Sequence, residues 1–444
     1  MSRRVDTLVV GAGVSGLAYA HARGRDADLV VLEASERCGG LVRTVRGGDS
    51  EQFRCELGPE ALRFEVQGGL TEMLAELGIT ARKPPDSAAK RFLVCKGRLV
   101  EAPLGPKLVT TPLMTWRGKL RLLAEPFRDP KVANDGSVAD FVRHRIGREG
   151  LDALLDPLVS GIHAGDPELL SMRACFPRLV ELVQKHGGLF RALFATRGDP
   201  APSVMKPDGG CQVVTDALAT ALGSKVITRA PVTALSFDGS LWHVISGAGN
   251  FDAERVVLAL PCTTSARLLT TVAAPLARAI GSVTSENVVS YTHAWRRENV
   301  GTRAPGFGYL VPSREKLQHL GTLFSSGIAP SSCPDGFVVF RTLLGGARHP
   351  ELVDRDDAEL AELVRREVAP LLDLRGEPVF TLVQRWRATL PRLDLQHPQR
   401  LAAIEQALPP GLTLLGNWLR GIGVNHLVAD AREHARKHAL PTRA

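Results

Sequence analysis

The feature that most constrains this chain is a glycine-rich turn close to its start. Residues 5–10 read as a short buried strand, and the turn that follows reads GxGxxG: Gly11-Ala12-Gly13-Val14-Ser15-Gly16. The first glycine permits a tight turn, the second lets a pyrophosphate approach the backbone, and the third lets a helix pack against the strand. Residues 17–23 read as that helix, and residues 29–32 as a second strand. The spacing predicts a βαβ dinucleotide-binding unit, and so an α/β fold of the Rossmann type.

The residues that follow the second strand favour FAD over NAD. Glu33 ends that strand, and a carboxylate there accepts hydrogen bonds from both ribose hydroxyls of an adenosine while repelling a 2′-phosphate. Residues 33–43 then carry a glycine pair and two arginines, and residues 56–63 add a Gly-Pro turn. Such a stretch can run along an extended FAD molecule, and the backbone of the second turn can meet the isoalloxazine ring.

Composition excludes several other classes of protein. Apolar residues make up 44% and charged residues 23%, as in ordinary globular proteins. The net charge is +8, but no block of five like charges occurs, which argues against a nucleic-acid partner and leaves an anionic substrate or an acidic membrane surface open. The seven cysteines stand singly, which favours the cytoplasm over a disulfide framework or a zinc site. The sequence contains no run of 18 predominantly apolar residues, so we expect no transmembrane helix.

The remaining pattern predicts three domains. A discontinuous FAD-binding domain comprises residues 1–85, 203–275 and 376–444, and its last part reads as a strand, a glycine-rich loop and a helix. A mixed-sheet substrate-binding domain comprises residues 86–104 and 276–375. The helical pattern of residues 105–202 predicts an inserted helical domain.

Segments spread along nearly the whole chain resemble the protoporphyrinogen oxidases, within the flavoprotein superfamily of amine oxidases and phytoene desaturases. They include ERCGGLVRTVRGG, CELGPEALR, KRFLVCKGRLVEAPLGP, LVSGIHAGDPELLSMRACFP, PGFGYLVP, LLGGARHP and GIGVN, in the order of that family. The resemblance implies FAD as cofactor and the six-electron oxidation of protoporphyrinogen IX to protoporphyrin IX in porphyrin and haem biosynthesis. Three O2 accept the electrons and give H2O2.

This chemistry requires little from the side chains. The porphyrinogen delocalises the cation that forms when a methylene loses hydride to the flavin, so the protein supplies position and desolvation, and we expect no catalytic acid or base and no metal. Three alternatives stay open: coproporphyrinogen III as substrate, an amine-oxidase type of flavoenzyme, and a non-catalytic tetrapyrrole-binding flavoprotein.

Matching the family's motifs residue by residue gives the candidate site. Arg91 is expected to bind a substrate propionate, since a guanidinium grips a carboxylate bidentately. The other expected substrate contacts are Gly161, His163, Ala164, Phe307, Leu310 and Leu343. Beside the GxGxxG turn and Glu33, the expected FAD contacts are Ala34, Gly40, Leu41, Gly58, Pro59, Glu60, Ala61, Val232, Trp386, Asn417, Ile422, Gly423 and Val424.

The segment at residues 156–177 poses a separate question. It reads as a helix that breaks at Gly161 and Gly165 and restarts behind Asp166 and Pro167. His163 stands where many members of the resembled family carry Phe or another apolar residue. It is either a core histidine satisfied locally or a residue at the pocket edge that affects proton removal or propionate binding.

Two kinds of surface contact are also expected. Residues 105–128 interleave apolar residues with five basic ones, as on a peripheral, membrane-associating surface; the alternative is an ordinary packed helix. The apolar members are Leu108, Leu113, Met114, Trp116, Leu120, Leu123 and Phe127. The resemblance further implies a homodimer, and a downstream enzyme such as ferrochelatase as a partner.

Overall fold

A computed structural model describes residues 2–65, 68–103, 105, 107–128, 136–197, 203–301 and 306–439 of this protein. Within these ranges the strands are β1 Arg3–Val10, β2 Leu29–Leu32, β3 Thr44–Gly47, β4 Phe53–Glu56, β5 Leu62–Phe64, β6 Ala81–Arg82, β7 Arg91–Cys95, β8 Arg98–Glu101, β9 Ser203–Pro207, β10 Val226–Ile227, β11 Val232–Phe237, β12 Trp242–Ser246, β13 Gly249–Leu258, β14 Ser285–Arg296, β15 Gly308–Leu310, β16 His319–Leu323, β17 Phe337–Gly345, β18 Phe380–Pro391 and β19 Leu412–Leu414.

Helices of very different length connect these strands. They are α1 Val14–Ala22, α2 Gly69–Glu76, α3 Lys107–Thr110, α4 Trp116–Leu123, α5 Val138–Ile146, α6 Arg148–Gly150, α7 Asp156–His163, α8 Met172–Cys175, α9 Pro177–His186, α10 Leu189–Ala195, α11 Gln212–Leu222, α12 Cys262–Leu269, α13 Ala274–Gly281, α14 Ser325–Ile328, α15 Asp357–Glu367, α16 Ala369–Leu372, α17 His397–Gln406 and α18 Val424–Lys437.

The first large sheet has the strand order β10-β2-β1-β13-β12-β11, and β19 also pairs with β13. The pairs formed by β10, β2, β1, β13 and β19 are parallel, whereas β11 and β12 are antiparallel additions. All four residues of β2 are buried, as expected of a parallel strand covered on both faces. Strands from the start, middle and end of the chain thus share one sheet, and the predicted α/β class with a Rossmann-like unit is confirmed.

The second large sheet has the order β18-β14-β17-β16-β15-β7-β8. Its pairs are antiparallel except for β7 with β15. One face packs against α15 and α16 over a core that includes Tyr291, Trp295 and Leu360. The other face is directed towards the first sheet and the helical layer, so it is the face that can border a shared site.

A third layer contains α3 to α10, packed around a core that includes Phe141, Val159 and Met172. No helix in the described part of the chain is long and apolar enough to cross a membrane. The prediction that Gly161 interrupts the helix is wrong, because α7 continues through it to His163 and ends where Ala164 takes a left-handed conformation, with φ 49°. The expected restart directly behind Pro167 is also wrong, since the next helix begins at Met172.

Candidate functional site

The turn between β1 and α1 has the geometry of a phosphate cradle. Gly11 has a φ of 103°, and a Cβ on Gly16 would overlap the Gly11 carbonyl oxygen, so these two glycines are required by the fold. Gly13 differs from both, because its φ is −71° and no described atom lies within 4 Å of a Cβ built there. It is the N-cap of α1 and offers no side-chain cap to the helix amides. The space beside Gly13 at a helix N-terminus suits an anion.

Glu33 lies at the other end of this turn and joins it to neighbouring segments. Its Oε2 accepts a hydrogen bond from the Ala12 amide at 2.8 Å, and its Oε1 accepts from the Ser35 amide at 2.9 Å. The Glu33 carbonyl accepts from the Ala230 amide at 2.8 Å, two residues before Val232. The structure therefore brings Glu33 next to the segment that leads into Val232, the first residue of β11, and backbone amides orient the carboxylate.

A line of close backbone contacts leads from this turn towards the second sheet. A Cβ on Gly40 would lie 3.4 Å from the Gly13 Cα, and a Cβ on Gly58 would overlap the Leu41 carbonyl oxygen. Leu41 lies between these contacts and is 38% exposed, although leucine is an apolar residue. The predicted FAD residues thus form a continuous, extended path from α1 to the turn at residues 58–61.

The carbonyl of Leu57 anchors the end of this path to the second sheet. It accepts two hydrogen bonds, from Arg341 Nη2 on β17 at 2.9 Å and from Trp386 Nε1 on β18 at 2.8 Å. Trp386 was expected to contact FAD, and it touches the segment expected at the isoalloxazine ring. Asn417 also reaches the second sheet, where its Nδ2 donates to the Thr389 carbonyl at 2.8 Å.

A buried ionic network lies behind the same turn. Lys206 Nζ stands 3.0 Å from Glu60 Oε1 and 3.4 Å from Glu56 Oε1, while Arg341 Nη1 stands 3.5 Å from Glu60 Oε2. Burial raises the pKa of Glu56, against the opposing effect of Lys206. Burial alone would lower the pKa of Lys206, but the two carboxylates raise it above its ordinary value. We therefore take Lys206 as charged.

The C-terminal helix places a second helix N-terminus at the same end of the first sheet. Tyr19 Oη hydrogen-bonds His438 Nδ1 at 2.9 Å, which joins the C-terminal parts of α1 and α18. The two packed helices therefore run in the same direction, and their N-termini, at Gly13 and Gly423, face the same side. Ile422, Gly423 and Val424 form the start of α18, as the expected closing segment requires.

Strand register places three of the expected substrate residues, Arg91, Leu310 and Leu343, on one face of the second sheet. Directly paired residues share a face, and the pairs Arg91–Gly308, Gly308–Leu323 and Leu323–Arg341 form one row across four strands. The next row on that face contains Leu310 and Leu343, linked through Gly321. Leu310, Leu323 and Leu343 are only partly buried, which leaves apolar surface for a flat ligand.

Helix α7 forms a wall against this face. A Cβ on Gly161 would overlap Leu310 Cδ2, and Ala164 packs in one cluster with Leu343. His163 lies about 200° around the helix from Gly161, and its ring meets the edge of Phe176 at 5.7 Å. Burial lowers its pKa to about 4, and its buried Nδ1 lacks a hydrogen-bond partner among the described residues. The structure thus directs Gly161 and Ala164, but not His163, towards the sheet residues Leu310 and Leu343.

Arg91 lies at the open end of the same face. Its side chain is exposed, its Nη1 donates to the Ala89 carbonyl at 3.1 Å, and its guanidinium lies 5.0 Å from the Phe307 ring centroid. Stacking on an aromatic ring fixes the plane of the guanidinium while leaving most of its donors free to bind. The geometry therefore suits a carboxylate at the edge of the pocket.

The sequence predictions missed two members of the site, Arg341 and Lys206. A signal was present for the first, since Arg341 is the single charge within the nine-residue strand FVVFRTLLG. An ionised residue in such a strand needs a buried partner. No comparable signal marks Lys206, which stands at the end of a short strand beside a Pro-Asp-Gly-Gly turn.

FAD fits this arrangement. A long dinucleotide matches the open space at Gly13, the oriented carboxylate of Glu33 and the extended path to residues 58–61. The N-termini of α1 and α18 both face the region where it would lie.

Comparisons with known proteins agree. The family model described as flavin containing amine oxidoreductase matches residues 14–431. Protoporphyrinogen oxidase of Bos taurus is 30% identical, over 97% of this chain and 97% of its own. Coproporphyrinogen III oxidase of Bacillus subtilis (strain 168) is 25% identical, over 94% of each. A crystal structure of a protein from Exiguobacterium sp. 255-15 shares the fold with a TM-score of 0.83, at 23% identity over 98% of each chain.

Proposed function

The chain belongs to the flavin containing amine oxidoreductase family and is an FAD-dependent oxidoreductase, and from that premise we propose that it oxidises protoporphyrinogen IX to protoporphyrin IX. The supporting observation is that one face of the second sheet carries Arg91, Leu310 and Leu343. The same face carries Arg341, which lies in the row of Arg91 and hydrogen-bonds the segment expected at the flavin. In this proposal three O2 are consumed and three H2O2 released for each substrate, which balances the six electrons and six hydrogens lost.

The bound FAD supplies the two-electron acceptor, and the protein supplies the position of the substrate. Arg91 holds a propionate at the open end of the face, with Phe307 fixing its guanidinium. The partly buried leucines contact the apolar macrocycle, and the small residues Gly161 and Ala164 let α7 pack closely behind Leu310 and Leu343. Displacing water from this apolar face strengthens the Arg91–propionate attraction.

Coproporphyrinogen III is the second candidate substrate, because a relative named for that activity aligns over 94% of this chain. The two porphyrinogens differ in chemistry, since coproporphyrinogen has four propionates and protoporphyrinogen has two propionates and two vinyl groups. Among the substrate residues proposed here, Arg91 is the cation, while Phe307 and the leucines are apolar. This composition favours the less charged substrate.

The test is comparative turnover of the purified, FAD-loaded protein on both porphyrinogens. We expect porphyrin fluorescence to rise with O2 uptake, in a ratio of three O2 to one porphyrin, and kcat/KM to be higher for protoporphyrinogen. A higher kcat/KM for coproporphyrinogen would reverse the assignment. Absence of a fluorescence rise with either substrate would exclude porphyrinogen oxidation.

We also propose that the helical layer contacts an anionic membrane surface. Of the apolar residues expected there, Trp116, Leu120, Leu123 and Phe127 are exposed, the last to 88%. The prediction is wrong for Leu113 and Met114, which are buried in the core of that layer, and residue 106 lies outside the described ranges. The neighbouring helix α10 adds two exposed residues that were not predicted, Leu193 and Phe194.

Arginines lie beside these apolar side chains. Arg117, Arg121, Arg143 and Arg148 line a hollow of about 350 Å³ beside α4 together with Glu149. Arg143 is paired with Asp140 and Glu168, and Arg148 with Asp152. Apolar side chains next to guanidinium groups suit the boundary between acyl chains and phosphate headgroups. We expect cosedimentation with anionic vesicles and not with zwitterionic ones, and loss of it in the Leu193→Glu, Phe194→Glu double variant. Equal binding to both vesicle types would contradict the proposal.

The homodimer and the downstream enzyme partner, which the resemblance implies, stay predictions.

A further inference from the structure

We infer that Arg341 is a positioning residue: it fixes the segment expected at the flavin against the sheet face that receives the porphyrinogen. This inference rests on the proposed function and deepens it. Arg341 was absent from the residues expected on sequence grounds, and its hydrogen-bond partners among the described residues are Ser290, Leu57 and Glu60 rather than the expected substrate residues. Its proposed action passes through residues 57–60, which it holds.

The hydrogen bonds of Arg341 reach three residues in two segments, β14 and the turn between β4 and β5. Its Nε donates to Ser290 Oγ on β14 at 2.6 Å, its Nη2 donates to the Leu57 carbonyl at 2.9 Å, and its Nη1 faces Glu60 Oε2 at 3.5 Å. The residue is only 5% exposed. A planar guanidinium with its donors in fixed directions can set both the distance and the orientation of such partners, which a lysine cannot do.

The charges around it are balanced, and the balance requires Arg341. Two carboxylates, Glu56 and Glu60, are buried with two cations, Lys206 and Arg341. Apolar side chains of similar volume would often hold two layers together as well as a buried ion pair does. A network that brings four charges into the interior is therefore better explained by the specific geometry it imposes than by the stability it adds.

That geometry links the two halves of the site. Arg341 shares a row with Arg91 and stands two residues before Leu343 on the same face of β17. On the other side it holds the Leu57 carbonyl next to Gly58, where the flavin segment begins. A shift of this contact would change the distance between the reacting carbon and its acceptor, and an error of about 1 Å can lower a rate by roughly 100-fold.

The experiment separates positioning from stability with the Arg341→Met variant and the Arg341→Met, Glu60→Gln double variant. The single variant leaves one excess buried negative charge, so its Tm should fall. The double variant restores neutrality through Glu56 and Lys206, so its Tm should largely recover. In both we expect kcat to fall by about 10- to 100-fold with KM changed by less than about threefold, and the visible circular dichroism of the bound flavin to change.

The matched control is another buried Arg–Glu pair, Arg145 with Glu125 in the helical layer, whose Nη1 and Oε1 are 3.4 Å apart. The Arg145→Met, Glu125→Gln variant should keep kcat and the flavin dichroism while its Tm changes. Recovery of kcat and dichroism together with Tm in the Arg341→Met, Glu60→Gln variant would overturn the inference. If the wild type oxidised no porphyrinogen, the proposed function would fail, and an unchanged flavin dichroism in both Arg341 variants would still reject Arg341 independently.

Discussion

The two halves of the site are built in different ways. The cofactor half uses backbone: Gly11 and Gly16 allow the turn, Gly13 leaves space, and Gly58 lies against the Leu41 carbonyl. The substrate half uses side chains that strand pairing brings to one face, with Arg341 tying that face to the cofactor half. Bulk added in the first half should therefore remove the cofactor, whereas substitutions in the second half should change how substrate is held.

Gly13→Val should have the largest effect. The φ of −71° suits any residue, and a Cβ at this position has no described atom within 4 Å, so the variant should fold and yet leave no room for the pyrophosphate. We expect a purified protein with wild-type far-ultraviolet circular dichroism but without the yellow colour of bound flavin.

Gly16→Val is the contrasting variant. Its Cβ would overlap the Gly11 carbonyl oxygen, so it should lose both soluble yield and flavin. A Gly13→Val protein that still purified with one FAD per chain would place the pyrophosphate elsewhere.

Arg91→Ala should have the next largest effect, and on substrate binding in particular. A hydrogen bond to a charged group contributes about 1.5–3 kcal/mol, so KM for a porphyrinogen should rise roughly 10- to 100-fold while kcat changes little. Steady-state fluorescence kinetics measure both values. Arg98→Ala, at an exposed arginine on the neighbouring strand β8, is the control and should leave KM as it was. An unchanged KM in Arg91→Ala would remove this residue from the site.

How much could be predicted from the sequence follows the same division. The Gly13 turn and Glu33 were predictable because their partners are near in sequence; the carboxylate accepts from an amide 21 residues away. Arg341 was not, since Leu57 lies 284 residues from it and the two meet only after several strands have paired. The predicted helix break at Gly161 was wrong. A glycine within a helix costs only about 1 kcal/mol, and here it allows α7 to contact Leu310 closely, which a Cβ would prevent.

His163→Phe should have the smallest effect on turnover and an effect on acid stability. The ring lies on the side of α7 away from Gly161 and packs on Phe176, so Phe can replace it, and kcat/KM at pH 8 should change by less than about twofold. The pKa of His163 is lowered from 6.5 to about 4 by burial. Between these values the unfolded chain binds more protons than the folded one, so stability falls as pH decreases from about 7 to 4.

The lowered pKa of His163 gives the size of that loss. It should reach about 2 kcal/mol at pH 5 relative to pH 8, and it should be absent in His163→Phe. The pKa of the buried His293 is also lowered, to about 3, and this contribution stays in both proteins, so the difference between their denaturation midpoints isolates His163. A change of more than about fivefold in kcat/KM, or an altered preference between the two porphyrinogens, would instead make His163 part of the pocket. The wall formed by α7 would then contact substrate on two sides of the helix, and its apparent division into a pocket face and a core face would be incorrect.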